Sequence, residues 1–203
     1  MKIGIIGYGE LGRQLENFLI EIEPNIKIVS FDDSNSNFSL ASYTKDIKSY
    51  IWLIALGYKH LKLKLEIIDK IKSQGGKFKS IIHESSYISK QANLHDGVIC
   101  YPMCNIDKGV EIKNSTLLNN SVVVSHDVII EEACYISPGV IISGNVYIKK
   151  GSFIGSGSVI SDGITIGSFS KIGMGSVISK DIPDNSCVIG NPQRVLSKQF
   201  VFK

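Results

Sequence analysis

The sequence predicts two structural units: an α/β unit over residues 1–80 and an all-β parallel β-helix over 81–203, which ends in a C-terminal tail. Two observations predict this fold class. The chain opens with a strand, a glycine-rich turn and an amphipathic stretch, and an apolar residue recurs at every sixth position from Ile82 onward. The composition agrees, because the 203 residues include 33 Ile and 19 Gly, which are typical of strands and tight turns.

The hexapeptide repeat is the more specific signal. Of the 17 positions reached by steps of six from Ile82 to Ile178, all are Ile, Leu or Val except Cys100. A mostly small or β-branched residue follows four places after each of them. Neither a helix nor an alternating strand has this period, so the repeat predicts short strands joined by turns. Three hexapeptides then form one coil of a triangular prism, and the step-six residues point inward and stack on those one coil away.

The first eighty residues combine strands and helices. The predicted elements are strands at 2–7, 26–31 and 50–56, and helices at 13–21 and 61–71. A turn with the pattern GxGxxG, Gly7 to Gly12, joins the first strand to the first helix, and Asp32 and Asp33 end the second strand. This order is typical of the opening of a Rossmann-like nucleotide-binding unit, in which backbone amides approach a diphosphate at a helix N-terminus.

Five residues of this unit are candidates for binding a nucleotide: Gly7, Gly9, Asp32, Asp33 and Gly57. Either aspartate can accept hydrogen bonds from a ribose or a base, and two aspartates at this place can equally be turn formers. The pattern GxGxxG alone is weak evidence for an NAD-dependent oxidoreductase, because 80 residues hold only about half of a doubly wound sheet.

Charge, hydropathy and cysteine usage exclude several classes of protein. The net charge of +3 is too small to predict a nucleic-acid partner, and no apolar run approaches the length of a membrane span, about 20 residues. Four cysteines without a CxxC spacing favour a soluble protein of the reducing cytoplasm. Three of these thiols fall on the inward rows of the prism, so we expect them to be inert: Cys100, Cys104 and Cys134. The histidines of the repeat region are not one coil apart, so we expect no metal site within one chain.

His126 is the candidate general base. It lies two places after the inward residue Val124, so its side chain projects outward or into a corner of the prism. One coil further on stands Gly144, which would leave open space for a thin ligand such as a pantetheine arm. The adjacent Asp127 could orient the imidazole or stabilise its positive charge. The alternative interpretation is a surface His–Asp pair in a turn.

Almost end to end, the chain resembles the sugar O-/N-acyltransferases of the left-handed β-helix type. This family is typified by sialic acid O-acetyltransferase and by the N-acetyltransferases of nucleotide-linked 4-amino-4,6-dideoxy sugars. The matching segments are the N-terminal glycine turn, 55–57, 81–86, 124–127, 136–146, 153–160, 172–183 and 190–192. The His126–Asp127 and Pro138–Gly139 segments carry the specificity, whereas the C-terminal segments indicate only acyl-CoA.

The resemblance implies a left-handed helix, a homotrimer with active sites between neighbouring prisms, and acetyl-CoA as cosubstrate without a metal. It implies His126 as general base with Asp127 as its partner, and a nucleotide sugar bound by the N-terminal unit. The residues that it implies for the acyl-CoA are Gly144, Gly173, Met174 and Arg194. Many relatives carry a second histidine where this chain has Tyr135, and often an asparagine and an arginine where it has the segment 58–62.

The predicted function is transfer of acetyl from acetyl-CoA to the 4-amino group of a nucleotide-linked 4-amino-4,6-dideoxy sugar in O-antigen or other glycan biosynthesis. Direct attack on the thioester needs one base and no acyl-enzyme. Two alternatives are open: O-acetylation of a sugar hydroxyl, as in the sialic acid enzymes, and a β-helix that only binds.

Overall fold

A computed structural model describes residues 2–33 and 38–196. The chain divides into two units, 1–80 and 81–203, each of which is described by itself. In the described part of the first unit the elements are β1 (Lys2–Ile6), α1 (Glu10–Ile22), β2 (Lys27–Phe31), a 3-10 segment (Leu40–Ser49), β3 (Ile51–Ile54), a 3-10 turn (Tyr58–His60), α2 (Leu61–Ser73) and β4 (Lys77–Phe78).

The described strands of the first unit form one parallel sheet in the order β2-β1-β3-β4. Helix α1 presents Leu15, Phe18 and Leu19 to the core at the three-to-four-residue spacing of an amphipathic helix. Its first turn lies directly on the glycine turn, because a Cβ on Gly12 would come within 2.3 Å of the Gly7 carbonyl oxygen. Gly7 itself has φ +87°, a conformation that glycine adopts without strain.

The described strands of the second unit are short and regularly spaced. In chain order they are β5 (Ile81–Ile82), β6 (Tyr87–Ile88), β7 (Asn93–Leu94), β8 (Ile99–Cys100), β9 (Asn105–Ile106), β10 (Glu111–Ile112), β11 (Leu117–Leu118), β12 (Val123–Val124), β13 (Ile129–Ile130), β14 (Tyr135–Ile136), β15 (Ile141–Ile142), β16 (Tyr147–Ile148), β17 (Phe153–Ile154), β18 (Val159–Ile160), β19 (Thr165–Ile166), β20 (Lys171–Ile172), β21 (Val177–Ile178), β22 (Cys187–Ile189) and β23 (Arg194–Val195).

These strands form the three faces of a β-solenoid. Sheet I contains β5, β8, β11, β14, β17, β20, β22 and β23; sheet II contains β6, β9, β12, β15, β18 and β21; sheet III contains β7, β10, β13, β16 and β19. Strands of successive coils pair in parallel at a step of eighteen residues, as Val123 does with Ile141. The predicted coil length and the predicted fold class, α/β followed by a parallel β-helix, are therefore confirmed.

The step-six residues fill the interior from the second coil onward. From Cys100 to Ile178 they are completely or almost completely buried. In the first coil the expectation is wrong, because Ile82 is 41% exposed and Ile88 and Leu94 are only partly buried. The physical reason is that these residues have a coil of the solenoid on one side only.

Buried hydroxyls replace aliphatic side chains on the small-residue row of the later coils. Ser152 Oγ donates to the Gly167 carbonyl at 2.8 Å, and Ser158 Oγ donates to the Gly173 carbonyl at 2.9 Å. Because both of these hydroxyls have a backbone partner, hydrogen bonds offset the cost of burying them.

The predicted elements of the first unit are found with shifted ends, and three elements were not predicted: the 3-10 segment at Leu40–Ser49, the 3-10 turn at Tyr58–His60 and β4. The 3-10 segment at Leu40–Ser49 has no apolar period in its sequence, and β4 is too short for a period to be recognised. In the described part of the chain, no helix has both the length and the apolar character needed to cross a bilayer.

Candidate active site

One corner of the prism carries the candidate catalytic residues. This corner, the sheet II corner, consists of the turns that follow the strands of sheet II. At the step of eighteen its first turn positions are Lys90, Lys108, His126, Gly144, Asp162 and Lys180. The turns stack through the backbone: Asn145 N–H donates to the His126 carbonyl at 3.0 Å, and Gly163 N–H donates to the Gly144 carbonyl at 3.0 Å. The positions of their side chains are therefore fixed by the regular coil.

His126 and Asp127 form a hydrogen-bonded pair on this corner. His126 Nδ1 lies 3.0 Å from Asp127 Oδ2, and the side chains are 45% and 57% exposed. Asp127 adopts φ +57°. Its Oδ1 lies only 2.2 Å from the position that a Cβ on Gly109 would take, so the carboxylate packs against this glycine. A carboxylate can only accept, so Nδ1 carries the proton and Nε2 is the acceptor in the neutral imidazole. The pair thus presents Nε2 as a base at an accessible place.

Gly144 lies against the imidazole of His126. A Cβ at this position would be 2.5 Å from His126 Cε1 and 2.6 Å from Nε2. The space that the missing side chain leaves is therefore taken by the imidazole itself, and the expectation of open space above the histidine is wrong in this detail. Among the described residues no backbone group accepts a hydrogen bond from the N–H of Gly144, which is itself buried.

Asp162 is a member of this corner that the sequence reasoning missed. Its Oδ1 lies 2.9 Å from the same Gly144 Cβ position, and it accepts a hydrogen bond from Asn145 Nδ2 at 3.3 Å. The signal was present in the sequence, because a second step of eighteen from His126 leads to this residue. A glycine between two polar residues brings both side chains to the same space.

In the first unit, the glycine turn is tied to the end of β2. Asp32 Oδ2 accepts a hydrogen bond from the Tyr8 N–H at 2.8 Å, and Asp33 Oδ1 accepts one from the Leu40 N–H at 2.9 Å. Each aspartate thus accepts a backbone hydrogen bond, and that of Asp32 ties the glycine turn to the end of β2, 24 residues away in the chain. Gly9 and Gly57 differ from the other glycines of this turn region, because a Cβ on either would meet no atom within 4 Å. The bare backbone at these two positions is open.

The remaining predicted acyl-CoA residues belong to another corner or to the last strand. Gly173 and Met174 lie on the sheet I corner, the turns that follow the strands of sheet I, and Met174 is 71% exposed. Arg194 is exposed in β23, which pairs antiparallel with β22. The structure therefore brings His126, Asp127 and Gly144 together, and it places Gly173 and Met174 on the far edge of sheet II.

Bare glycines also line the sheet I corner. Gly139, Gly157 and Gly175 are one coil apart, have φ between +64° and +68°, and have no atom within 4 Å of a Cβ. Because no side chain stands at these stacked positions, the edge of the prism has a smooth strip of backbone. The sequence reasoning quoted these glycines only as part of longer motifs.

Tyr135 stands where relatives carry a second histidine, and it lies on sheet I. Its ring packs against Phe153 with centroids 5.9 Å apart, and its hydroxyl accepts a hydrogen bond from Asn119 Nδ2 at 3.4 Å. Burial and the charge of Tyr135 raise the pKa of the nearby Tyr101 to about 12. Tyr135 therefore places a phenol where those relatives have an imidazole.

His95 has an acidic partner that the coil step of eighteen does not reveal. Its Nε2 lies 2.9 Å from Glu111 Oε1 on sheet III, and hydrogen bonds from Lys113 and His95 lower the pKa of the Glu111 carboxyl. The pair was missed because its residues differ by sixteen positions, which crosses from one coil to the next. In the described ranges 2–33 and 38–196, no three His, Cys, Asp or Glu residues are grouped so that they could hold a metal ion.

All four cysteines are buried and none is in a disulfide. A hydrogen bond with Cys104 and burial raise the pKa of the Cys100 thiol above its usual range. We predict that Ellman's reagent modifies none of the four thiols in the native protein and all of them after unfolding in guanidinium chloride. Rapid modification of any thiol in the native state would contradict the assignment of these cysteines to the core.

The chain is similar to one described protein family and to several solved structures. Residues 145–180 match the family described as bacterial transferase hexapeptide (six repeats). The acetyltransferase domain of PglB from Neisseria gonorrhoeae is 27% identical, with TM-score 0.86 over 96% of this chain and 99% of that chain. The same domain in complex with acetyl coenzyme A is 27% identical, with TM-score 0.85 over 96% and 98%.

A more distant structure has the same fold over its full length. A variant of perosamine N-acetyltransferase from Caulobacter crescentus, in complex with CoA and GDP-perosamine, is 22% identical, with TM-score 0.87 over 98% of both chains. Together these likenesses confirm the resemblance that the motifs indicate. They also confirm a left-handed parallel β-helix that follows an α/β unit in the chain.

Proposed function

We propose that this hexapeptide-repeat acyltransferase of the left-handed β-helix type transfers acetyl from acetyl-CoA to the 4-amino group of a nucleotide-linked 4-amino-4,6-dideoxy sugar. The observation that carries the proposal is the His126–Asp127 pair, whose imidazole lies against the backbone of Gly144. Full-length likeness to the PglB acetyltransferase domain, solved with acetyl coenzyme A, supports the choice of cosubstrate. The likeness to perosamine N-acetyltransferase supports the fold, and the GDP-perosamine bound to that protein is an example of a nucleotide-linked acceptor.

The proposed chemistry needs one base and one hydrogen-bond donor. The acceptor nitrogen attacks the thioester carbonyl, and His126 Nε2 removes a proton from that nitrogen as the new bond forms. Asp127 stabilises the imidazolium through Nδ1–H, and Nε2–H then gives its proton to the departing sulfur. The Gly144 N–H is the donor that we assign to the carbonyl oxygen, where negative charge grows. With all four thiols buried, no cysteine is available for an acyl-enzyme.

We assign the nucleotide to the carboxyl edge of the first unit's sheet. Strands β1 and β3 are neighbours, so the turns that follow them, with Gly9 and Gly57, lie along one edge. Both glycines leave the backbone open, and helix α1 begins after Gly9 without a side-chain cap. Its first N–H groups can therefore bind a diphosphate. Asp32 would act indirectly, by holding the Tyr8 N–H and with it the shape of the turn.

We assign acetyl-CoA to the sheet I corner, where the open glycines Gly139, Gly157 and Gly175 leave room for a narrow chain. Sheet II separates this corner from His126 on each prism. Its outward row has the apolar residues Val123, Ile141, Val159 and Val177, and Ile141 is 43% exposed. This partly exposed apolar row is the surface that we assign to packing against a second copy, in a homotrimer with sites between subunits. A cytoplasmic setting follows from the use of acetyl-CoA.

The experiment measures CoA release from acetyl-CoA with a panel of UDP-, dTDP- and GDP-linked 4-amino-4,6-dideoxy sugars. We expect turnover with at least one of them, and none with the same amino sugar lacking its nucleotide. Free sialic acid is the hydroxyl control. No turnover with any nucleotide amino sugar, or faster turnover with sialic acid, would overturn the proposal.

A further inference from the structure

We propose that Asp162 is a specificity-determining residue that makes the His126 site select an amine over a hydroxyl. The inference rests on the proposed function, because it concerns the acceptor of that reaction. It starts from the sheet II corner, where His126 and Asp162 approach the same point from the two coils on either side of Gly144.

The geometry brings two hydrogen-bond acceptors close to one point beside Gly144. His126 Nε2 lies 2.6 Å and Asp162 Oδ1 lies 2.9 Å from the Gly144 Cβ position, yet the two atoms are not hydrogen bonded to each other and form no ion pair. A nitrogen between them can be within hydrogen-bond distance, about 2.7 to 3.2 Å, of both. The site is therefore arranged to receive a group that donates twice.

An amine and a hydroxyl differ in this respect. The neutral amino group of the acceptor has two N–H donors, so one can point at Nε2 while the other points at Asp162. A sugar hydroxyl has one O–H donor and leaves one of the two acceptors unpaired. An unpaired carboxylate beside a hydroxyl oxygen also repels its lone pairs, so the alcohol loses on both counts.

The carboxylate also favours the reaction of the amine. As nitrogen bonds to the acetyl carbon, positive charge grows on nitrogen, and the negative charge of Asp162 stabilises it. His126 takes one of the two protons and transfers it to the sulfur as the carbon–sulfur bond breaks. The other proton stays on nitrogen, held by Asp162, and becomes the amide hydrogen. The products are the acetamido sugar and CoA thiol, so atoms and protons balance.

Asn145 holds the carboxylate in this position. Its Nδ2 donates to Asp162 Oδ1 at 3.3 Å, which leaves Oδ2 and the remaining lone pairs for the acceptor. A purely structural role, in which Asp162 serves only to fix the Asn145 side chain, predicts that Asp162→Asn changes all acceptors alike. An amide at this position keeps an oxygen for Asn145 but loses the charge.

The test compares Asp162→Asn with the wild-type enzyme on one nucleotide-linked 4-amino sugar and on its 4-hydroxy counterpart, with acetyl-CoA as donor. We expect kcat/KM for the amine to fall roughly 10- to 100-fold, as for loss of a charged hydrogen-bond partner. We expect KM for acetyl-CoA and the slow hydroxyl reaction to change less than about threefold. Asp162→Glu is expected to recover part of the loss.

Asp184→Asn is the matched control, because Asp184 Oδ1 lies in the same way, 2.6 Å from the Cβ position of Gly167, at another corner. Unchanged selectivity in Asp162→Asn, or equal losses for both acceptors, would overturn the inference and leave the proposed function intact. A wild-type enzyme that acetylates no nucleotide amino sugar, or that prefers the hydroxyl, would overturn the proposed function itself.

Discussion

Replacing His126 by Ala is expected to lower kcat for acetyl transfer about 10³-fold, the usual contribution of a positioned general base. The neutral imidazole is the acceptor at Nε2 because Asp127 binds Nδ1 at 3.0 Å. The side chain is 45% exposed, so its removal creates no cavity and should leave the unfolding midpoint unchanged. Steady-state assays with saturating acetyl-CoA, alongside thermal unfolding, would measure both quantities.

His95→Ala is the control for that experiment. His95 is also paired with a carboxylate, Glu111, but it lies on sheet III of the same helix. It should retain activity within a factor of about two, since it touches neither proposed ligand. Full activity of His126→Ala would contradict the assignment of the base, and so would equal losses in both variants.

Replacing Gly144 by Ala is expected to cost at least about 100-fold in kcat while the catalytic histidine is still present. A Cβ here would come within 2.5 Å of His126 Cε1 and 2.9 Å of Asp162 Oδ1, so the imidazole must rotate away. A displacement of about 1 Å at a reacting group is enough for a loss of this size. The clash is with the end of an exposed side chain, so the free energy of unfolding should change by less than about 1 kcal/mol.

Gly75→Ala provides the opposite pattern. Gly75 has φ +73° after helix α2, and the nearest neighbour of a Cβ there is Lys48 Cε at 3.7 Å. The substitution should lower the free energy of unfolding by about 1 kcal/mol, because an L-residue is strained at this φ, and should leave kcat unchanged. A Gly144→Ala variant that lost stability but kept its activity would behave as we expect only of Gly75→Ala. That result would contradict a catalytic role for the close contact between Gly144 and His126.

The β-helix could be predicted from the sequence because its period repeats without interruption. Each step from Cys100 to Ile178 places an apolar residue in the interior, and the strand pairing follows from the same step. Prediction fails where the repeat meets an end: Ile82 obeys the pattern but is exposed, since a sequence period does not say which coil has a neighbour on both sides. The 3-10 segment at Leu40–Ser49 could not be predicted because its sequence has no apolar period.

The site was predictable where one coil step relates two residues. The step from His126 to Gly144 predicted that they meet, but the space between them depends on side-chain direction, and the imidazole fills it. Asp162 lies two coils of eighteen residues after His126, with Gly144 on the coil between them. A search for residues that are one coil apart does not find such a pair. Asp32 illustrates another limit, because its hydrogen bond to the Tyr8 N–H depends on how the turn folds back onto β2.

The most direct test of the central claim is the mass of the acceptor after incubation with acetyl-CoA. With the wild-type protein, a nucleotide-linked 4-amino-4,6-dideoxy sugar should gain one acetyl group on its amino nitrogen, and with His126→Ala it should be recovered unchanged on the same timescale. An unmodified acceptor with the wild-type protein, or acetylation at equal rate by His126→Ala, would contradict the account.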